Sequence, residues 1–158
     1  LFDYVLVPHS HFHMGGFVRP YEVQSADALR ELLITRFVES VQLDLGVPTG
    51  IAHPFYPHGF EELEEEILSG ISDQTYRDCL SLAARNQVSI EIHPCQLSPS
   101  TGEEQQWMRM LQIARSEGCT FHFGSDAHSI DGLNCHEQLV SLAKACGITK
   151  QNITPFAG

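Results

Sequence analysis

Short apolar runs alternate with amphipathic segments along this chain of 158 residues, and this alternation limits the folds that it can adopt. Runs rich in β-branched and aromatic residues predict strands, whereas apolar residues that recur every three or four positions predict helices. The predicted strands cover residues 1–7, 49–54, 88–93 and 119–123, and a helical segment follows each of them. This order favours an α/β fold in which parallel strands are joined by right-handed crossovers.

The helical segments and a closing strand complete the predicted domain. The helices cover residues 25–45, 61–68, 72–86, 101–117 and 134–146, and residues 148–156 are interpreted as a last strand or closing segment. Thr101 and Asn134 each stand three positions before a Glu, which is the pattern of a capping box. The glutamates of residues 61–66 are interpreted as a solvated helix face. We therefore expect a single domain over residues 1–158, with about four βα units and a closing strand. A closed βα barrel needs about 250 residues, so the expected architecture is a partial βα barrel.

Potential metal ligands stand at or just past the end of each predicted strand. In βα barrels the chemistry takes place at the carboxyl-terminal ends of the strands. Imidazole nitrogen and carboxylate oxygen together suit Zn, Mn or Fe better than Mg or Ca. Four strands that deliver such groups to one rim indicate a metal site more strongly than any single pair does. In chain order, the candidates are His9, His11 and His13, then His53, then Glu91 and His93, and finally Asp126 and His128.

Several of these positions also have structural interpretations. His9, His11 and His13 would point the same way in an extended segment, although His13 is interpreted as an ordinary loop residue. Glu91 is as consistent with a structural salt bridge as with a site role, because a carboxylate inside a strand needs a partner or a nearby cation. Pro54 is expected to hold the residue before it in an extended conformation. His58 is predicted to be exposed to solvent.

The composition argues against several classes of function. A net charge of −11 opposes binding to nucleic acid and to anionic membrane surfaces. No apolar run approaches the roughly 20 residues that span a bilayer, and no signal peptide opens the chain, so we expect a cytoplasmic protein. The five cysteines lack CxxC pairing, which predicts reduced, small apolar side chains rather than a disulfide framework or a thiolate site.

Four segments of the chain resemble, in order and spacing, the later motifs of the PHP family (polymerase and histidinol phosphatase). They are residues 2–6 leading to His11, Ile51-Ala52-His53-Pro54, Ile90-Glu91-Ile92, and Gly124-Ser125-Asp126-Ala127-His128, of which the last is the most specific. The resemblance covers nearly the whole chain. It implies a distorted βα barrel of seven strands that binds up to three metal ions and hydrolyses phosphate esters, with histidinol phosphate as one substrate.

The resemblance also implies roles for individual residues. His11 and His53 would bind a shared metal ion, Asp126 a second ion and His128 a third, and Asp126 and His128 would act in catalysis. His9 is the alternative to His11. At position 93 many family members carry Asn where this chain has His, so the role of that residue stays open.

The chain departs from the family pattern at its beginning. The opening His-x-His strand with its further histidine is absent, and so is the bridging Glu of a middle strand. The chain therefore resembles the C-terminal part of a PHP domain. We expect a metal-dependent phosphoesterase that acts on a small phosphorylated substrate, in which a homo-oligomer is one way to complete the barrel. The alternatives are a catalytically incomplete metal-binding fragment, a nuclease-type PHP domain and a hydrolase of amides.

Overall fold

A computed structural model describes residues 2–16, 18–94 and 101–155, and for residues 101–104 and 131 it describes only the backbone. Within these ranges it contains the strands β1 (Val5–Pro8), β2 (Thr49–Ala52), β3 (Ser89–Ile92) and β4 (Phe121–Phe123). All four strands pair in parallel, in the order β1-β2-β3-β4. The expected α/β class with a parallel sheet is therefore confirmed.

Helices connect the strands close to the predicted positions. Their bounds are α1 (Ala26–Val41), α2 (Glu64–Ser69), α3 (Asp73–Arg85), α4 (Thr101–Ser116) and α5 (His136–Ala145). Two serines cap helices as their position at the start of the helical pattern predicts. The Ser25 hydroxyl accepts a hydrogen bond from the backbone of Ala28 in α1, and the Ser72 hydroxyl accepts one from Thr75 in α3.

The two faces of the sheet are chemically different. On one face, apolar side chains of the strands and of α1, α3 and α4 form the main core, which includes Phe37, Ile51, Leu80, Ile90, Leu111 and Phe121. The opposite face is polar and contains Tyr4, Gly50, Ser89, Glu91 and His122, since paired residues of neighbouring parallel strands share a face. On this polar sheet face, Ser89 Oγ hydrogen-bonds the Tyr4 hydroxyl and lies 2.6 Å from His122 Nδ1.

Three details of the predicted elements are wrong. The apolar run of residues 1–7 predicts a strand buried on both faces, but β1 is an edge strand of the described sheet and its Leu6 is 46% exposed. Asn134 does not cap a helix: it lies in a 3-10 turn, and α5 begins at His136. In the acidic segment, Glu64 is buried rather than solvated, because its carboxylate accepts a hydrogen bond of 2.8 Å from Trp107 Nε1.

The predicted closing strand is also wrong within the described residues. The segment forms a 3-10 turn over Lys150–Asn152 and then a single parallel bridge between Ile153 and Phe121 of β4. The backbone of Thr154 adds one hydrogen bond of 2.8 Å to the Phe121 carbonyl. Three other predictions lie outside what the structure describes: the end of this segment at residue 156, the side chains of the capping box at Thr101, and the state of Cys95.

Two findings bear on the composition of the chain. Cys79, Cys119 and Cys146 are free and buried, which agrees with the interpretation of small apolar side chains. Among the described residues, none of the helices combines the length and the apolar character that crossing a membrane requires.

Candidate metal centre

The loops that follow the four strands bring candidate ligands to one edge of the sheet. His53, His93 and Asp126 each offer a ligand atom within 4.8 Å of the others, and we call this set the Asp126 site. His11, His53 and His58 form a second set by the same measure, which we call the triple-histidine site. The two sites share His53, so they form one continuous cluster.

His53 is held in an unusual backbone conformation. Its φ angle is +40°, in the left-handed region, so the extended conformation predicted from Pro54 is wrong. The reason is a long-range contact: the backbone N–H of His53 donates a hydrogen bond of 2.6 Å to Glu91 Oε2 in the neighbouring strand. Asp126 also has a positive φ, of +47°. Strained residues of this kind concentrate at functional sites, because the surrounding structure must enforce them.

Glu91 lies beneath the cluster as a buried carboxylate with 3% exposure. One oxygen accepts the His53 N–H, and the other lies 3.9 Å from His122 Nε2. Burial raises the pKa of Glu91 to about 7, although the hydrogen bond from His53 opposes this rise. The contacts place Glu91 behind a candidate ligand, where its carboxylate fixes the backbone of His53.

Burial favours the neutral form of three imidazoles of the cluster, those of His53, His93 and His11. Burial, reinforced by neighbouring histidines, lowers the pKa of His53 to about 4, and burial lowers that of His93 to about 4 as well. The pKa of His11 is also lowered, first by burial and then by the nearby His58 and His13. Neutral imidazoles keep a lone pair available for a cation at neutral pH.

Two buried nitrogens of the cluster lack hydrogen-bond partners among the described residues, His11 Nε2 and His53 Nδ1. A buried polar atom is normally paired, so an unpaired one calls for an explanation such as a bound ion. Imidazole nitrogens beside a single carboxylate oxygen form a donor set suited to Zn, Mn or Fe. The residues present therefore fit a divalent cation.

His9 does not join the other histidines. Its ring is buried at 4% exposure and packs edge-on against the stacked rings of Phe37 and Phe55, and its Nε2 accepts a hydrogen bond of 3.3 Å from the Phe55 backbone. The expectation of three histidines pointing the same way is wrong because the chain turns after β1: the N–H of Phe12 bonds the Ser10 carbonyl at 2.8 Å. Of the two alternatives, the structure places His11 in the cluster.

His128 lies at the margin of the site. Its side chain is 92% exposed, and its Nε2 is 3.7 Å from Asp126 Oδ1. It belongs to neither of the two sets of ligand atoms found among the described residues. The structure thus brings together His11, His53, His93 and Asp126, and leaves His128 exposed beside them.

Sequence reasoning missed one member of the cluster. His58 was expected to be exposed, but its side chain is only 28% exposed and contributes to the triple-histidine site. One signal could have found it: like the predicted ligands, His58 lies in a loop that follows a strand end. His13, interpreted as an ordinary loop residue, is exposed and belongs to neither set of ligand atoms, although its ring centre lies 5.3 Å from that of His11.

No protein-family profile, curated protein or solved structure matches this chain. The family resemblance of its short motifs therefore remains a prediction, and the proposed function rests on the geometry of the site.

Proposed function

We propose that this chain is a PHP-like, metal-dependent phosphoesterase that hydrolyses a small phosphomonoester, with histidinol phosphate as a candidate substrate. The observation that carries the proposal is the convergence of His53, His93 and Asp126, which come from loops after three different strands. The sequential parallel order of the sheet fits one part of a distorted βα barrel.

In this proposal His11, His53, His93 and Asp126 hold divalent cations, namely Zn, Mn or Fe, up to three in a complete site. Bound cations supply Lewis acidity towards phosphoryl oxygens and promote ionisation of water at neutral pH. The neutral imidazoles offer lone pairs without repelling a cation, and the Asp126 carboxylate offsets part of its charge. Glu91 positions His53 through the backbone hydrogen bond of 2.6 Å.

The exposed side of the cluster is where a substrate would arrive. The Asp126 side chain is 41% exposed and stands between the buried histidines and solvent. His128 lies beside it with an almost fully exposed imidazole, in reach of a group bound next to Asp126. We assign Asp126 to holding a cation and orienting the attacking water, and His128 to a contact with the substrate.

Metal binding without turnover is the second candidate. It is favoured by the donor sets, in which Asp126 is the only carboxylate of the two three-residue groups found among the described residues. A nuclease role is less well supported, because a net charge of −11 repels a polyanionic strand. Amide hydrolysis uses the same types of metal ligand as phosphoester hydrolysis, and substrate assays distinguish the two activities.

The test compares wild type with Asp126→Asn, which keeps the side-chain shape and removes the charge. We expect hydrolysis of p-nitrophenyl phosphate and histidinol phosphate, with added Mn²⁺ or Zn²⁺, to fall by about 100-fold or more. The control is His136→Gln at the exposed start of α5. Full activity of Asp126→Asn would reject the role of Asp126. If the metal-loaded wild-type protein hydrolyses neither ester, metal binding without turnover is supported. If it instead digests single-stranded DNA, the nuclease hypothesis is supported.

A further inference from the structure

An apolar groove leaves part of the main core open to solvent beside the last strand. It has a volume of about 470 Å³ and lies between β4, α5 and the segment that follows α5. Its apolar walls are formed by Phe123, Val140, Ala143, Ile148 and Ile153. Ala143 and Ile148 are buried members of the core, whereas Phe123 is 40% exposed and Val140 37%. Exposed apolar surface of this kind, next to a core, is typical of a binding site.

The end of α5 shapes two walls of this groove. Val140, Ala143 and Lys144 are spaced at i, i+3 and i+4, so they share one side of the helix. The helix ends in a Schellman motif, in which the N–H of Ile148 donates a hydrogen bond of 2.8 Å to the carbonyl of Ala143 and Gly147 has a φ of +72°. This ending turns the chain back, so that Ile148 packs beside the same side of the helix.

The only two lysines in the sequence, Lys144 and Lys150, both line this groove. Lys150 is placed there by the 3-10 turn Lys150–Asn152. Among the described residues neither lysine has an ion-pair or hydrogen-bond partner, whereas four of the arginines pair with carboxylates. The guanidinium of Arg115 adds a third positive charge nearby, since it lies 3.4 Å from where a Cβ of Gly147 would be. Uncompensated positive charge therefore surrounds an apolar groove in a protein whose net charge is −11.

We propose that this groove binds a medium-chain carboxylate, with its hydrocarbon tail against the apolar walls and its head group beside Lys144 and Lys150. The volume lies in the range of about 300–1,000 Å³ that is usual for small-molecule sites, and such sites are mostly apolar with a few charged or polar groups that fix the orientation of the ligand. A singly charged head group suits this protein, because two ammonium groups attract it while the net charge of −11 repels an anion of higher charge more strongly.

The proposed site is separate from the metal centre and does not depend on phosphoester hydrolysis. None of the residues that line the groove belongs to the two sets of metal-ligand atoms found among the described residues. A carboxylate could nevertheless bind to a metal ion, so the test is made on the full chain in the presence of EDTA. Binding in EDTA assigns the affinity to the protein alone.

Calorimetric titration with decanoate, octanoate and acetate tests the tail. We expect decanoate to bind with a stoichiometry of one. Octanoate should bind about 10-fold more weakly, because it has two methylene groups fewer and a buried methylene contributes about 0.8 kcal/mol. Acetate, which has the head group without the tail, should not bind. Absence of decanoate binding, or equal affinity for decanoate and octanoate, would overturn the proposal.

A double variant tests the head-group position. Lys144→Gln/Lys150→Gln should weaken decanoate binding by about 10-fold, because it removes both ammonium groups from the groove. The matched control is Arg77→Gln/Arg85→Gln, which removes the same two charges from exposed positions of α3 and should keep the wild-type affinity. Equal decanoate affinity in the two double variants would overturn the assignment of the lysines.

A third pair of variants tests the apolar wall without changing a core residue. Val140→Glu introduces a carboxylate into the groove and should abolish decanoate binding. Leu133→Glu is the matched control, because Leu133 is an aliphatic side chain with 56% exposure that does not line the groove. Decanoate binding by Val140→Glu with the affinity of the control would overturn the proposal. So would a wild-type dimer in analytical ultracentrifugation that binds no decanoate and that Val140→Glu alone dissociates, because it would assign the groove to a second copy of the chain.

Discussion

Replacement of His9 should change how the stability of the protein depends on pH. His9 is buried edge-on against a stacked pair of phenylalanine rings, and burial, followed by the nearby His53 and His11, lowers its pKa from 6.5 to about 3. In the unfolded chain the imidazole regains its ordinary pKa. Protonation therefore favours the unfolded state, so the stabilising contribution of His9 is complete above pH 6.5 and is lost as the pH falls from 6.5 towards 3.

The magnitude follows from the two pKa values. At pH 5 an ordinary imidazole is almost fully protonated, whereas native His9 is neutral. The corresponding loss of unfolding free energy, relative to neutral pH, is about 2 kcal/mol, and the slope approaches about 1.4 kcal/mol per pH unit. His9→Gln removes the titrating group and keeps an acceptor near the Phe55 backbone. The variant should therefore lose about 2 kcal/mol less than wild type between pH 7.5 and pH 5.

Urea unfolding followed by circular dichroism, in the presence of EDTA at several pH values, measures this difference. EDTA keeps metal binding by the neighbouring histidines out of the comparison. His136→Gln, at an exposed position, should follow the wild-type pH profile. If His9→Gln folds with the wild-type urea dependence and also loses stability in acid as steeply as wild type, the argument that His9 is buried in the neutral form is refuted.

Three further outcomes follow from the structure. Trp107→Phe should lower the unfolding free energy by about 1.5–3 kcal/mol, because it removes the 2.8 Å hydrogen bond to the buried Glu64 carboxylate. A change below about 0.5 kcal/mol, measured by urea unfolding, would contradict this expectation. Gly50→Ala puts a methyl group 2.6 Å from His122 Cε1. The resulting overpacking costs about 1–3 kcal/mol of unfolding free energy and should lower the melting temperature by roughly 2–10 °C. An unchanged melting temperature would show that the polar sheet face has room for the methyl group. Saturating Zn²⁺ should raise the melting temperature, and EDTA should reverse the effect. At a free Zn²⁺ concentration of 100 times Kd, the stabilisation is about 2.7 kcal/mol. A melting curve that does not depend on Zn²⁺ would argue against binding to the native state.

The elements of the fold were largely predictable because their signals are local. The β2 segment is a fully buried run next to a proline, and α3 combines a serine cap with an apolar stripe at helical spacing. The wrong predictions fall at positions where contacts between residues distant in the sequence determine the structure. Glu64 belongs to a run of acidic residues that resembles a solvated face, whereas its burial is accompanied by a contact with Trp107, 43 positions later. The closing segment lacks a partner strand on its outer side among the described residues, so it forms a single bridge at Ile153.

The location of the site was predictable from the topology of the sheet. The directions of its side chains have a different physical cause. Parallel strands place their carboxyl ends at one edge, so the loops carrying His53 and Asp126 meet whatever conformation each loop adopts. The direction of each side chain depends on contacts between loops and strands that no periodicity encodes. Glu91 turns His53 into the left-handed region, and the carbonyl of His58 holds the loop of His13. Rules of extended alternation therefore failed for the segment after β1. Contacts between loops also brought one unpredicted imidazole, that of His58, into the cluster.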